Sequence, residues 1–216
     1  NMSDRKSRQI IRRAKQINPN SILVATGCYA QTAKEELEKI TDIDLIVGNT
    51  EKKDIVKIVE EYRDNKNRER VKMSDINKQK EFVDFGSVTY TEKTRAVIKV
   101  QDGCNNFCSY CIIPYARGRI RSRTMESIKA ELERLSASGF KEIVLTGINL
   151  SCYDDNGKKL IDVIEMADNV NGIERIRLGS LDPEVVTEDF VEWLGKVKKI
   201  CPHFHLSLQS GCDTVL

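Results

Sequence analysis

Ala96-Val97-Ile98-Lys99-Val100-Gln101, followed at once by Asp102-Gly103-Cys104-Asn105-Asn106-Phe107-Cys108-Ser109-Tyr110-Cys111, decides how the rest of the chain is read. A strand-like run delivers three cysteines into one short loop. At about 3% cysteine, a given Cys is followed by Cys at both the fourth and seventh places roughly once in a thousand by chance. A structural zinc site takes four ligands, usually as two separated pairs, and no histidine lies near these three. Three thiolates suit three irons of a 4Fe–4S cube, with the fourth iron left open to a small molecule. A zinc or plain redox loop is the alternative.

The same strand–loop–helix pitch repeats on the C-terminal side. Helices are expected over Thr124–Ser138, Leu160–Asp168 and Thr187–Lys198, and strands over Glu142–Thr146, Ile173–Leu178 and Phe204–Leu208. Four strand–helix pitches predict a partial (β/α) barrel, a fold that places its chemistry where the strands end. The cysteine loop, Thr146-Gly147, Ser180 and Gln209 all fall at such ends. On the N-terminal side, Ser21–Thr26 and Ile43–Val47 read as strands, and Gln31–Ile40 and Glu51–Tyr62 as helices. That alternation predicts a smaller α/β unit. Ser3 is a candidate N-cap for a first helix striped by Ile10, Ile11, Ala14 and Ile17. The expected division is residues 1–62 as an N-terminal α/β domain, 63–90 as a polar linker and 91–216 as the core. Phe82–Tyr90 is a candidate for one or two short strands.

Composition sets limits. The 216 residues are 40% hydrophobic and 31% charged, ordinary for a globular chain able to bury a core. No apolar run is long enough to cross a bilayer, and no signal-peptide pattern opens the sequence, so the expected location is cytoplasmic with no membrane partner. Seven cysteines in a reducing compartment point to metal or redox chemistry rather than disulfides. The net charge of +2 does not by itself point to nucleic acid, but two basic blocks do stand out. One runs Arg5, Lys6, Arg8, Arg12, Arg13 and Lys15. The other is Arg117, Arg119, Arg121 and Arg123, which alternate and would share one face if extended. Such a face grips an RNA backbone or lies solvated. Both ends read as cut, as in an internal piece of a longer protein.

The Cys-x-x-x-Cys-x-aromatic-Cys loop after a first barrel strand resembles the radical-SAM superfamily. The words around it, Asp102-Gly103-Cys104 through Ile112-Ile113-Pro114-Tyr115-Ala116-Arg117-Gly118 and then Arg121-Ser122-Arg123, resemble its methylthiotransferases. The resemblance implies that Cys104, Cys108 and Cys111 hold a 4Fe–4S cluster whose open iron binds S-adenosylmethionine and cleaves it to a 5′-deoxyadenosyl radical. Tyr110 would pack near the adenine, and Thr146-Gly147 would contact the cofactor's amino group. Gly27-Cys28-Tyr29-Ala30-Gln31 resembles the third cysteine motif of the family's N-terminal domain. Cys28 would therefore ligate a second 4Fe–4S cluster, its two other ligands lying upstream of Asn1. The family's C-terminal RNA-binding TRAM domain is not part of the sequence.

Asp4-Arg5-Lys6-Ser7-Arg8-Gln9, Arg177-Leu178-Gly179-Ser180-Leu181 and His203 through Asp213 resemble the branch acting on N6-threonylcarbamoyladenosine at tRNA position 37. That resemblance implies transfer of a methylthio group to carbon 2 of the base, an unactivated position that needs a radical. It also implies the tRNA anticodon loop and an electron donor such as flavodoxin or ferredoxin as partners. The rival substrates are N6-isopentenyladenosine in tRNA and a ribosomal-protein aspartate. A rival of another class is a non-catalytic iron–sulfur RNA-binding module. Ser180 and Gln209 are candidate cofactor contacts at strand ends. No catalytic residue beyond the cluster ligands is expected. Cys152, Cys201 and Cys212 lack ligand spacing and read as ordinary cysteines.

Overall fold

In the computed structural model of the chain, residues 2–64, 69–86 and 94–215 are described. They divide into two units, one running to Val83 and taking in Asn105–Arg119, the other formed by Asp84–Cys104 and the chain from Ile120 onward. Neither unit contains a helix long and apolar enough to cross a membrane, among the described residues.

The first unit carries α1 (Met2–Ile17), β1 (Val24–Thr26), α2 (Cys28–Thr32), α3 (Lys34–Glu38), β2 (Leu45–Val47), α4 (Ile55–Asp64), β3 (Val71–Lys72) and α5 (Ile113–Arg117). Its strands form a parallel sheet in the order β1-β2-β3. β2 is apolar on both faces, and Leu45, Ile46 and Val47 are fully buried, as a central parallel strand requires. One side packs on Ala30, Leu37 and Ile43, the other on Ile58. The helix expected over Gln31–Ile40 is two short helices instead, parted at Ala33 (φ −133°, ψ 40°). In α1, Ile11 packs on the core, but Ile10 and Ile17 of the expected stripe are exposed. Arg8 donates to the Tyr29 hydroxyl at 2.8 Å, and Lys15 meets Asp44 at 2.8 Å, so cations of the N-terminal block help to seat α1.

Part of the stretch expected to be a linker is structured. β3 lies in it, and Arg70 reaches back to the carbonyl of Ile43 at 2.9 Å and to those of Glu38 and Ile40. Residues 82–86 form no strand, and the remainder of the Phe82–Tyr90 expectation lies outside the described residues, as do 65–68 of the linker.

The second unit carries β4 (Arg95–Lys99), β5 (Gln101–Asp102), β6 (Arg121–Ser122), α6 (Met125–Ala137), β7 (Glu142–Thr146), the hairpin strands β8 (Asp154–Asp155) and β9 (Lys158–Lys159), α7 (Leu160–Asp168), β10 (Arg175–Leu178) and α8 (Glu188–Leu194). β4, β7 and β10 form a parallel sheet with consecutive strands as neighbours, the winding of a barrel rather than of a doubly wound sheet. Alternate residues Ala96, Ile98, Ile143, Leu145, Ile176 and Leu178 are buried in the main core with Ile128, Leu132, Val163 and Ile164 of the helices. The other face is more polar. There Glu142 accepts from Arg175 at 2.8 Å and Arg177 at 2.7 Å, and these two guanidinium groups hold its carboxyl below the usual range.

α6 starts where Thr124 accepts from the Ser127 amide, and α8 where Thr187 accepts from Phe190, so each N-cap is the residue at which the helix was expected to begin. The fourth strand is reduced. Phe204–Leu208 contributes one isolated bridge, Leu206 to Leu181, and a second isolated bridge joins Ile200 to Ile176.

Candidate metal and cofactor site

β4 and β5 deliver the chain to the cysteine loop, and β6 receives it again by antiparallel pairing of Gln101 with Ser122 and Asp102 with Arg121. Between them the backbone is irregular, with positive φ at Gly103 (75°) and at Phe107 (49°). Cys104 belongs to the second unit, and Cys108 and Cys111 to the first. None of the three is in a disulfide; Cys108 is exposed and the other two are half-buried. The Cys111 amide donates to the Cys108 carbonyl at 2.9 Å, a turn that keeps these two residues together. Desolvation, and then the Cys108 and Cys111 thiols, push the Tyr110 phenol up. Tyr110 is 72% exposed, an aromatic surface beside the thiols.

Among the described residues, no group of three or more Cys, His, Asp or Glu side chains lies close enough together to hold a metal ion. The donor set nonetheless fits a 4Fe–4S cluster in its chemistry: three cysteines on one loop, none engaged in a disulfide. Binding and loop ordering are coupled in such sites, so a bound cluster would set the final thiol positions.

One side chain that sequence reasoning missed organises the entry to this loop. Gln101 is fully buried. Its amide nitrogen donates to the carbonyls of Asp102 at 2.9 Å and Gly103 at 2.7 Å, and its amide oxygen accepts from the Asn149 amide at 2.8 Å. It therefore ties the strand before Cys104 to the loop after β7, where Thr146 and Gly147 sit. A Cβ on Gly147 would come 2.8 Å from Gln101 Oε1 and 3.2 Å from the Gln101 carbonyl oxygen, so only glycine fits. Gly147→Ala is expected to force this hydrogen-bonded amide aside and to cost about 1–3 kcal/mol. A melting temperature unchanged from wild type would contradict that.

The other candidates are dispersed. Ser180 Oγ lies 2.8 Å from His205 Nδ1, so the serine at the end of β10 has a partner from the His203–Leu208 segment. Gln209 is exposed, has φ 67°, and donates to Ser207 at 3.1 Å. The segment with the four alternating arginines is not one extended strand. Arg117 ends α5, Gly118 turns the chain at φ 75°, and Arg121 and Arg123 are buried. Arg121 faces Asp102 at 3.6 Å, which Lys99 also meets at 2.5 Å. Arg123 is held by Asp84 at 2.8 Å and by Glu131. An RNA backbone cannot reach those two, which corrects the expectation for Arg121 and Arg123. Arg119 is exposed, its guanidinium 4.5 Å from the Phe107 ring centre, and Phe107 meets Tyr115 edge-on at 5.6 Å.

Cys28 begins α2 and is half-buried. Burial and the nearby Cys104, Asp182 and Glu184 push the Cys152 thiol up, Cys201 is buried, and Cys212 bonds Thr214 Oγ1 at 3.1 Å.

A parallel sheet wound in barrel order, with three cysteines between its first strand and first helix, defines the class, and the sequence profile of the Radical SAM superfamily matches residues 98–216. The chain belongs to that superfamily. A second profile, Uncharacterized protein family UPF0004, matches residues 1–48. The chain is 45% identical over 99% of its length to the threonylcarbamoyladenosine tRNA methylthiotransferase MtaB of Aquifex aeolicus, covering 52% of that protein. It is 40% identical over 100% of its length to the Bacillus subtilis protein of the same name, covering 48% of it. To a tRNA-2-methylthio-N(6)-dimethylallyladenosine synthase of Clostridium botulinum it is 33% identical over 96% of its length, covering 47% of that protein. The chain thus spans about half the length of these curated relatives. Among solved structures, the radical S-adenosylmethionine methyltransferase TsrM of Kitasatospora setae shares the fold. It aligns with a TM-score of 0.61 at 19% identity, covering 93% of this chain and 43% of that one.

Proposed function

We propose that the protein to which this chain belongs is a tRNA methylthiotransferase acting on carbon 2 of N6-threonylcarbamoyladenosine at tRNA position 37. The observation that carries this reading is the cysteine loop Cys104-x-x-x-Cys108-x-x-Cys111, none of its members in a disulfide, at the end of the first barrel-type strand. The 45% identity to a protein named for that reaction supports the choice of substrate. Cys104, Cys108 and Cys111 would hold one 4Fe–4S cluster, and Cys28 would contribute to a second. Together with S-adenosylmethionine, these groups would supply radical cleavage of the cofactor and a carrier for sulfur. An electron donor such as flavodoxin or ferredoxin, and a cytoplasmic location, complete the proposal.

The chain's own residues do the positioning. Gln101 holds the entry of the cysteine loop to the Gly147–Asn149 turn, and Gly147 leaves that contact room. Tyr110 offers an exposed ring beside Cys108 and Cys111 for the adenine. Ser180, held by His205, and Gln209 stand as the remaining candidates for cofactor contact. The exposed Arg119 and the half-buried Arg117 would be the members of the series to meet RNA phosphate. A base in an anticodon loop is single-stranded and can be splayed out and stacked on an aromatic ring.

Mass spectrometry of tRNA nucleosides from a strain lacking the gene tests the substrate. Loss of 2-methylthio-N6-threonylcarbamoyladenosine, restored by the full-length gene, is the expected result. Loss of the isopentenyladenosine derivative instead would move the assignment to the branch that the 33% relatives are named for.

A further inference from the structure

We infer that Asn49 is a positioning residue: its side-chain amide fixes the helix that follows Cys111 against the helix that begins with Cys28. The inference rests on the two-cluster reading above, in which these two cysteines serve one reaction. Both helices belong to the first unit, and α2 packs against α5. Each has five residues, too few to hold a position without outside anchoring.

Asn49 supplies that anchor from the loop after β2. It is buried, and its Nδ2 donates to the Ala116 carbonyl at 2.6 Å. Ala116 is fully buried in the last turn of α5, where carbonyls have no partner within the helix. The Asn49 backbone amide donates in turn to Gln31 Oε1 at 2.9 Å, and Gln31 lies one turn beyond Cys28 on α2. One residue therefore bonds both helices. The preceding Gly48 makes this approach possible, since a Cβ there would lie 2.4 Å from Glu51 Oε2 and 3.2 Å from Gln31 Oε1. A sulfur carrier and a radical source that serve one base would have to be held at a fixed separation, and misplacement by about 1 Å can cost on the order of a hundredfold in rate.

The test uses the full-length protein with Asn49→Asp, which puts a carboxylate oxygen against the Ala116 carbonyl, and Asn49→Ser, which shortens the donor out of reach. In the unloaded protein, amide hydrogen exchange across Tyr115–Gly118 is expected to speed up about tenfold while α6 is unchanged. After anaerobic loading, 5′-deoxyadenosine formation should stay within about twofold of wild type while methylthiolated nucleoside falls about tenfold, as for other outer-shell changes. A purely structural asparagine would lower both products in parallel with iron content. That outcome, or unchanged exchange at 115–118, overturns the inference. Should Asn49→Asp fail to fold, Asn49→Ser is judged by the same criteria. If the wild-type protein forms 5′-deoxyadenosine but no methylthiolated product, the methylthiotransferase reading has failed, and the exchange result alone decides the role of Asn49.

Discussion

Cys108→Ser in the full-length protein is expected to remove the loop cluster, lowering its occupancy after anaerobic reconstitution by about a hundredfold or more. Outer-shell changes alone cost up to about that much in metal affinity, and this change would strip one of the three proposed ligands. Cys108 is the exposed member of the three, so its substitution opens no cavity and breaks no buried hydrogen bond. Folding should therefore survive, and iron, sulfide and the charge-transfer absorbance of the cluster should report the loss cleanly. Cys212→Ser is the matched control, since Cys212 is also exposed but lies far along the sequence from the loop. It should leave iron content unchanged. Equal iron in wild type and Cys108→Ser would show that the loop does not bind the metal.

The second large effect concerns the fold. Glu131→Ala should destabilise the protein by about 3 kcal/mol, because breaking a buried ion pair leaves the surviving charge uncompensated. Arg123 and Glu131 are buried in the second unit, with Glu131 also 3.5 Å from Arg134. Around them, Arg123 Nε donates to Ser127 Oγ at 2.9 Å, and the buried Tyr153 hydroxyl donates to the Arg123 carbonyl at 2.6 Å. Burial pushes that phenol well up, so it remains a donor. Asp84 still meets Arg123 at 2.8 Å, which places the expected cost at the lower end of the range for buried pairs. The double variant Arg123→Met with Glu131→Leu removes both charges and should recover most of the loss. Urea unfolding midpoints measure both. A single variant as stable as wild type would contradict the argument, as would a double variant no better than the single.

Much of the fold is legible locally. Leu160–Asp168 and Glu142–Thr146 take the expected bounds because apolar period, helix formers and neighbouring glycines all agree. Where tertiary packing outweighs propensity, the sequence misleads. Gln31–Ile40 is rich in helix formers, yet the chain breaks at Ala33. Phe204–Leu208 alternates like a strand, but a single bridge forms there. The arginine series fails for a related reason. Strand periodicity predicts faces only if the backbone stays extended, and Gly118 ends that condition between Arg117 and Arg119.

The candidate site divides in the same way. Cys104, Cys108, Cys111 and Cys28 are visible because ligand spacing and motif lie in a few consecutive residues. Gln101 and Asn49 are invisible to such patterns, since their partners Asn149 and Ala116 lie 48 and 67 residues away. A buried amide reads as one more polar residue until folding brings its partner to it. What could have marked them is their position directly before the cysteine loop and directly after Gly48, both places where backbones approach closely.

The central claim is that Cys104, Cys108 and Cys111 hold a cluster that cleaves S-adenosylmethionine. The most direct test is 5′-deoxyadenosine formation by the anaerobically reconstituted full-length protein with dithionite and S-adenosylmethionine. The expected result is formation of 5′-deoxyadenosine and methionine in equal amounts, abolished by Cys108→Ser and kept in Cys212→Ser. A protein that carries its iron and sulfide yet forms no 5′-deoxyadenosine would contradict the account.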